Sequence, residues 1–250
     1  MADGKLRVAV VGCGMIANSA HIPAWQSQRG AEVVGVMDTD LGRARATAGK
    51  HAVPGVFDDV DKMLNELAPD VVSVCTPAGC HKAHAEAALR AGAHVLCEKP
   101  LAITSREAAD IFRAAEEAGR HLLVGQSMRF YNQVAAAKAF AADGQLGELY
   151  CADAARLRRR GIPTHGSFHI KKLSGGGVLV DLGAHMLDMV LWIMGSPKVV
   201  AVSGATYSKI GTRNENLITS SVESGAFAGG VSSASYNPAT FDVEDFASAF

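Results

Sequence analysis

Leu6-Arg7-Val8-Ala9-Val10-Val11-Gly12-Cys13-Gly14-Met15-Ile16-Ala17 decides the fold. Its first half is an almost continuous apolar run, as expected of a strand buried on both faces. It runs straight into a G-x-G-x-x-A turn that opens a helix. Gly12 permits the tight turn, Gly14 lets a pyrophosphate approach the backbone, and Ala17 lets the helix pack close on the strand. The N–H groups exposed around Met15 and Ile16 and the helix dipole favour an anion there. Pro23 should kink or restart the helix near His21-Ile22. A second run, Glu32–Met37, ends at Asp38. Asp38 follows Ala17 by about 20 residues, where a dinucleotide-binding unit carries the acid that receives the ribose hydroxyls. The glycine turn alone is a weak signal. Strand, turn, helix, strand and terminal acid in that order are a strong one.

The alternation continues outward. Val56-Phe57 reads as a third strand and Asp59–Leu67 as a helix. Asp70–Cys75 is a strand ended by Thr76-Pro77, and His81–Ala91 is an alanine-rich helix closed by Gly92. Thr104–Ala118 is a helix with Thr104 as cap, Glu107 at the capping-box position and Gly119 as stop. His121–Val124 starts a further strand. This βαβα order predicts a parallel doubly wound sheet over residues 1–126. Beyond it the pattern changes. Asn132–Asp143 and Val178–Met194 read as helices, Glu148–Arg158 as a long strand, and 161–177 as a glycine-rich loop. Strand-like pieces lie near Val199–Val202, Asn216–Ser221, Ala226–Ser233 and Phe246–Phe250. Residues 127–250 are therefore expected to form an α+β domain with a mainly antiparallel sheet.

Two stretches carry chemistry. In His94-Val95-Leu96-Cys97-Glu98-Lys99-Pro100 a short buried strand ends abruptly in an acid, a base and a proline. Open α/β sheets bind ligands outside the carboxyl ends of their strands. A partly desolvated lysine amine there can exchange protons near neutral pH. Pro100 disfavours the helical region for Lys99 and holds it extended or in a turn. The second stretch is Gly175-Gly176-Gly177 followed by Val178–Asp188. Asp181, His185 and Asp188 are spaced i, i+4, i+7 and share one face of a helix. An acid one turn from a histidine can orient the ring and stabilise its charged form, as a proton relay needs.

Composition bounds the rest. The chain has 250 residues, 48% hydrophobic and 20% charged, with a net charge of −1. That is enough apolar material for sizeable cores and gives no reason to expect a nucleic-acid partner. Arg158-Arg159-Arg160 reads as a solvated strand end from which one arginine could reach a substrate. His165, His169 and Lys172 sit in the loop before the triple glycine, where substrate contact and bare surface weigh about equally; Tyr131, Tyr236 and Asn237 are weaker candidates. Cys80, His81 and His84 could suggest a metal, but no metal is expected. The five cysteines form no CxxC pair, and reduced thiols in a cytoplasmic protein are the simpler account. The longest apolar run, Val178–Met194, is broken by Asp181, His185 and Asp188, which argues against a membrane span.

Taken together, these motifs resemble the Gfo/Idh/MocA oxidoreductases, the glucose–fructose oxidoreductase and inositol dehydrogenase group. The carriers are Gly12-x-Gly14-x-x-Ala17, His21-Ile22-Pro23-Ala24, Thr76-Pro77 with His81, Glu98-Lys99-Pro100 and the Gly175–Asp188 segment. The resemblance implies a Rossmann domain followed by an open-faced sheet domain, with oxidoreduction of a sugar or cyclitol at the seam between them. It implies NAD as cofactor, with NADP the second candidate. It places catalysis on Lys99, His185 and Asp181. It places cofactor contacts on Gly12, Gly14, Met15, Ile16, Asp38, Thr76, Pro77, His81, Glu98 and Lys99. Substrate contacts fall on Lys99, Arg160, His165, Asp181 and His185. Family members usually continue beyond the segment matching Asp242-Val243-Glu244-Asp245. The chain is accordingly expected to be C-terminally incomplete and to pair through its second sheet in a homo-oligomer. A cofactor-binding regulator without turnover, and an NAD-retaining glycosidase that works by transient oxidation, are the alternatives.

Overall fold

A computed structural model describes residues 4–157, 167–212 and 238–249. The chain separates into two compact units, Met1–Gly125 and Gln126–Phe250. The first unit contains a six-stranded parallel sheet. Its strands are β1 (Leu6–Val11), β2 (Ala31–Met37), β3 (Gly55–Phe57), β4 (Val71–Val74), β5 (His94–Cys97) and β6 (Leu122–Val124). They lie in the order β3-β2-β1-β4-β5-β6, the doubly wound arrangement that reverses direction beside β1. Val8, Val10, Val11, Val72 and Val74 are fully buried. Each such side chain contributes about 1.5–3 kcal/mol by leaving water.

The connections are helices, and local chemistry sets their ends. A π turn over Ala17–His21 runs directly into α1 (Ile22–Gln26), with Pro23 at its start. Pro23 has no N–H for the helical ladder, which accounts for the restart expected there. Helix α2 (Leu41–His51) is capped by Asp40, whose side chain accepts from the Arg43 N–H. This helix was not legible in the sequence because its alanines, glycines and long basic residues leave only a weak apolar stripe. Helix α3 (Val60–Leu67) is capped by Asp59. Helix α4 (Ala78–Arg90) begins three residues earlier than expected, since Pro77 ends the turn after β4 and starts the helix. Helix α5 (Ser105–Ala118) carries the full Thr104/Glu107 capping box and stops at Gly119 in the left-handed region.

In the second unit, the described residues form α6 (Asn132–Ala142), the short α7 (Lys171–Ser174), a π segment Leu179–Gly183 and α8 (Ala184–Ile193). Strands β7 (Gly204–Tyr207) and β8 (Phe246–Ala249) pair antiparallel. Two expected strands are corrected. Residues 148–157 of the Glu148–Arg158 stretch form no strand, and Tyr150 is 90% exposed. Val199–Val202 is not a strand either, with Val200 90% exposed. Alternation makes a residue fit for a strand, but only a partner's ladder makes one. The β8 ladder meets Gly204–Tyr207 instead. The expected strands at Asn216–Ser221 and Ala226–Ser233, and Phe250, lie outside the described residues.

The triple glycine has a packing cause. A Cβ on Gly177 would sit 1.9 Å from the Glu244 carbonyl oxygen. The same carbonyl accepts the Val178 N–H at 3.0 Å. The acidic segment thus pins the start of the helix that carries Asp181. Asp245 closes the turn after β7, accepting from the Lys209, Ile210 and Gly211 N–H groups at 2.8, 2.5 and 2.9 Å.

Candidate active site

The carboxyl edge of the parallel sheet gathers most of the expected residues of the first unit. Gly12 has φ +93°, and a Cβ there would lie 2.8 Å from the Cys75 carbonyl carbon. Only glycine fits, because the turn after β1 is pressed against the turn after β4. A Cβ on Gly14 would meet nothing within 4 Å. The exposed face of this loop is therefore open, with Met15 and Ile16 half-buried at the helix start. This is the cradle that a pyrophosphate needs. Ala17 is fully buried, as close helix–strand packing requires. Asn18 ties the loop down: its Nδ2 donates to the Cys13 and Gly14 carbonyls, both at 3.0 Å, and its Oδ1 faces His51 Nε2. Sequence reading missed Asn18; its place just after Ala17 was the one available signal.

Asp38 sits at the end of β2, only 7% exposed. Its Oδ2 accepts from the Cys13 N–H at 2.9 Å and its Oδ1 from the Asp40 N–H at 3.0 Å. Arg43 Nη1 approaches both oxygens, at 3.1 and 3.3 Å. The acid is thus bonded to the glycine loop itself. Burial first, and the Asp38 charge second, push the Cys13 thiol up to about 11. Burial likewise pushes the Cys75 and Cys97 thiols up. These are inert packing groups rather than nucleophiles.

Glu98 and Lys99 leave the end of β5, half-buried, and the Lys99–Pro100 peptide is cis. Glu98 Oε1 lies 2.9 Å from His21 Nε2, and Oε2 accepts the Lys99 N–H at 3.1 Å. Burial pushes the Glu98 carboxyl up. The His21 bond and charge, with the Lys99 N–H and charge, outweigh this and hold it below the ordinary glutamate value. Such a carboxylate contributes stability above the ordinary glutamate range and loses it as pH falls through the lowered value. Glu98→Gln is therefore expected to cost about 1–3 kcal/mol near neutral pH. The gap to the unsubstituted protein should close on acidification, read by thermal melts across pH. A gap that stays constant into acid would refute a charged Glu98.

His81 is placed beneath this turn rather than on its open face. It is 1% exposed. Its Nδ1 lies 2.8 Å from the Pro100 carbonyl oxygen and its Nε2 2.8 Å from that of Thr76. Both nitrogens are engaged by backbone, so as placed the ring supports the cofactor edge and presents no atom to a ligand. Thr76 Oγ1 lies 3.1 Å from His84 Nδ1, and Pro77 caps α4 from an exposed position.

Asp181 and His185 belong to the second unit, both half-buried. Asp181 lies within the π segment and His185 in the first turn of α8. Four residues span roughly one turn in either geometry, so the shared face survives the widened turn. Asp188 has another role: its carboxylate pairs in two-pronged fashion with Arg129, whose Nε lies 2.7 Å from Oδ2 and whose Nη2 bonds Oδ1. The Arg129 guanidinium also lies 5.8 Å from the centre of the Trp192 ring. Asp188 is thereby committed to holding α8 against the Ser127–Phe130 turn. Arg160 and His165, with Arg158, Arg159, Tyr236 and Asn237, lie outside the described residues. His169 and Lys172 are described; the Asp242 carboxylate accepts the neighbouring Lys171 N–H at 2.6 Å.

The strand order, the glycine cradle and the acid bonded to it define the first unit as a dinucleotide-binding Rossmann domain. Residues 6–126 match the oxidoreductase family with NAD-binding Rossmann fold, and residues 134–246 match the GFO/IDH/MocA C-terminal domain. The chain belongs to the Gfo/Idh/MocA oxidoreductase family. It is 38% identical over 245 residues to a D-glucoside 3-dehydrogenase of Escherichia coli (strain K12), covering 98% of this chain and 66% of that one. It is 32% identical over 195 residues to a glucose-6-phosphate 3-dehydrogenase of Bacillus subtilis (strain 168), covering 76% of this chain and 54% of the relative. Among solved structures it is similar to GenD2 from gentamicin A biosynthesis in complex with NAD. That match has a TM-score of 0.77 at 26% identity, over 98% of this chain and 61% of the other. The chain thus spans about half to two thirds of the length of these relatives.

Proposed function

We propose that the protein is a nicotinamide-dependent dehydrogenase or reductase acting on a secondary alcohol or ketone of a sugar or cyclitol. The observation that carries the reading is the shared sheet edge: an open glycine cradle bonded to Asp38, with Lys99 leaving the end of β5 on the same edge. The sugar dehydrogenases among its relatives support the substrate class. When bound, the nicotinamide supplies the hydride chemistry. The loop N–H groups of the cradle would hold the pyrophosphate, and Asp38 the adenosine ribose. Lys99 polarises the reacting oxygen. His185 takes the hydroxyl proton in the oxidative direction, steadied by Asp181. Arg160 and His165 remain assigned to substrate. A panel of sugars, cyclitols and their keto forms, followed by absorbance of the reduced nicotinamide, tests this; no turnover of any member would refute it.

NAD is the cofactor of this reading. A 2′-phosphate would meet the Asp38 carboxylate, and Arg43 is already drawn to Asp38 and, at 3.4 Å, to Asp40. Catalytic efficiency should favour NAD by about tenfold or more, roughly 1.4 kcal/mol of unrelieved repulsion. A preference for NADP in that comparison would reverse the assignment.

A cytoplasmic, membrane-free setting belongs to the same proposal. All five cysteines are free, which suits a reducing compartment. The stretch Lys171–Ile193 is long and apolar enough to cross a membrane by length and composition. It nevertheless carries Asp181 and His185, and its Asp188 is paired with Arg129 of the same unit, which suits a domain helix. Pairing of copies of the chain through the second unit's sheet belongs to the same proposal.

A further inference from the structure

Two buried histidines grip the turn that carries Lys99, and the proposed chemistry uses neither. His21 is 8% exposed and reaches from the π turn beyond the glycine loop to Glu98, on the N-terminal side of Lys99. His81 reaches from the first turn of α4 to the Pro100 carbonyl, on the C-terminal side. Its other nitrogen holds the Thr76 carbonyl at the end of β4. Glu98 in turn accepts the Lys99 N–H. Both neighbours of Lys99 in sequence are therefore fixed by an imidazole, and each imidazole is rooted in a different element of the cofactor edge.

Packing alone would select neither ring. His21 Nδ1 is buried and makes no hydrogen bond among the described residues. Such an atom pays desolvation without return, and an apolar side chain would avoid it. Both His81 nitrogens face carbonyl oxygens, which only accept, so two good bonds need a proton on each nitrogen. Burial pushes the His81 ring below the ordinary histidine value, against the opposing pull of the Thr76 and Pro100 carbonyls, Glu98 and Leu101. The ring thus sits where its bonds oppose its burial. Position supplies a reason for both: each bond fixes a backbone or carboxylate group one residue from Lys99.

We propose that His21 and His81 are positioning residues, an imidazole brace that fixes the Glu98-Lys99-Pro100 turn so that the lysine meets its substrate in one orientation. Only the kinetic arm of the test rests on the dehydrogenase reading. In the protein at its natural length, His21→Leu should lower kcat by about tenfold to 100-fold, the scale of a misplaced catalytic group. KM for NAD should change little. His21→Gln can still donate to Glu98 and should recover most of the loss. His81→Gln keeps one of the two carbonyl bonds and should fall between; it also serves if His81→Leu does not fold. In a Lys99→Met background the same substitutions should have no further effect, because they act through Lys99. Losses that multiply in that background would overturn the brace. A second arm needs no substrate. Lysines are reductively methylated with carbon-13, and the Lys99 signal is assigned by its disappearance in Lys99→Met. This signal should move in His21→Leu and His81→Gln and stay near its original position in His21→Gln. An unmoved Lys99 signal in His21→Leu would overturn the proposal even if the substrate panel succeeded. A panel without turnover would overturn the dehydrogenase reading, and the lysine signal would still decide the brace.

Discussion

Lys99→Met is expected to lower turnover by about 100-fold or more, the scale of losing an acid–base group, while cofactor affinity changes much less. Methionine keeps most of the stem and removes the charge, so the turn after β5 keeps its bulk. The Lys99 backbone N–H still donates to Glu98, because that bond does not involve the side chain. The loss would therefore report chemistry rather than collapse of the site. Turnover and cofactor dissociation, measured on the same preparation, separate the two. Near-normal turnover would remove Lys99 from the reaction, and parallel loss of cofactor binding would make it a binding residue instead.

Gly12→Ala should be strongly damaging for a single added methyl. At φ +93° an alanine is strained before any contact is counted. Its Cβ would also lie 2.8 Å from the Cys75 carbonyl carbon and 2.9 Å from the Thr76 nitrogen. Both are backbone atoms of the β4 turn and cannot rotate away. Strain and overlap together should cost about 3 kcal/mol or more, with loss of cofactor binding as the loop is pushed off β4. Gly14→Ala meets open space; it should leave the melting temperature nearly unchanged and weaken the cofactor alone. Thermal melts and cofactor titrations of the pair test this contrast. Equal stability of the two variants would show that the β1 and β4 turns are not pressed together.

The elements read correctly from sequence share one property: their signals are local. A continuous apolar run, a glycine turn or a capping box is written within a dozen residues. The parallel strands, Thr104 with Glu107, and the restart at Pro23 were legible for that reason. Residues 148–157 misled because alternation is local while a ladder is not. The partner of Asp188 was not legible because helical spacing shows which face a residue occupies but not which cation waits opposite; Arg129 lies 59 residues away.

By itself, the sequence determined a doubly wound parallel sheet, a glycine cradle with Asp38 at the next strand end, and a lysine at the end of β5. Periodicity and steric rules act over a few residues and leave little choice there. Tertiary structure alone decided what surrounds those groups. It bonded Asp38 to the Cys13 N–H and turned Arg43 onto it. It set His81 beneath the edge between two carbonyls, and it brought His21 to Glu98 across 77 residues. These pairings depend on where packed elements come to rest, and on the need of each buried polar group for a partner. No spacing in the chain records them.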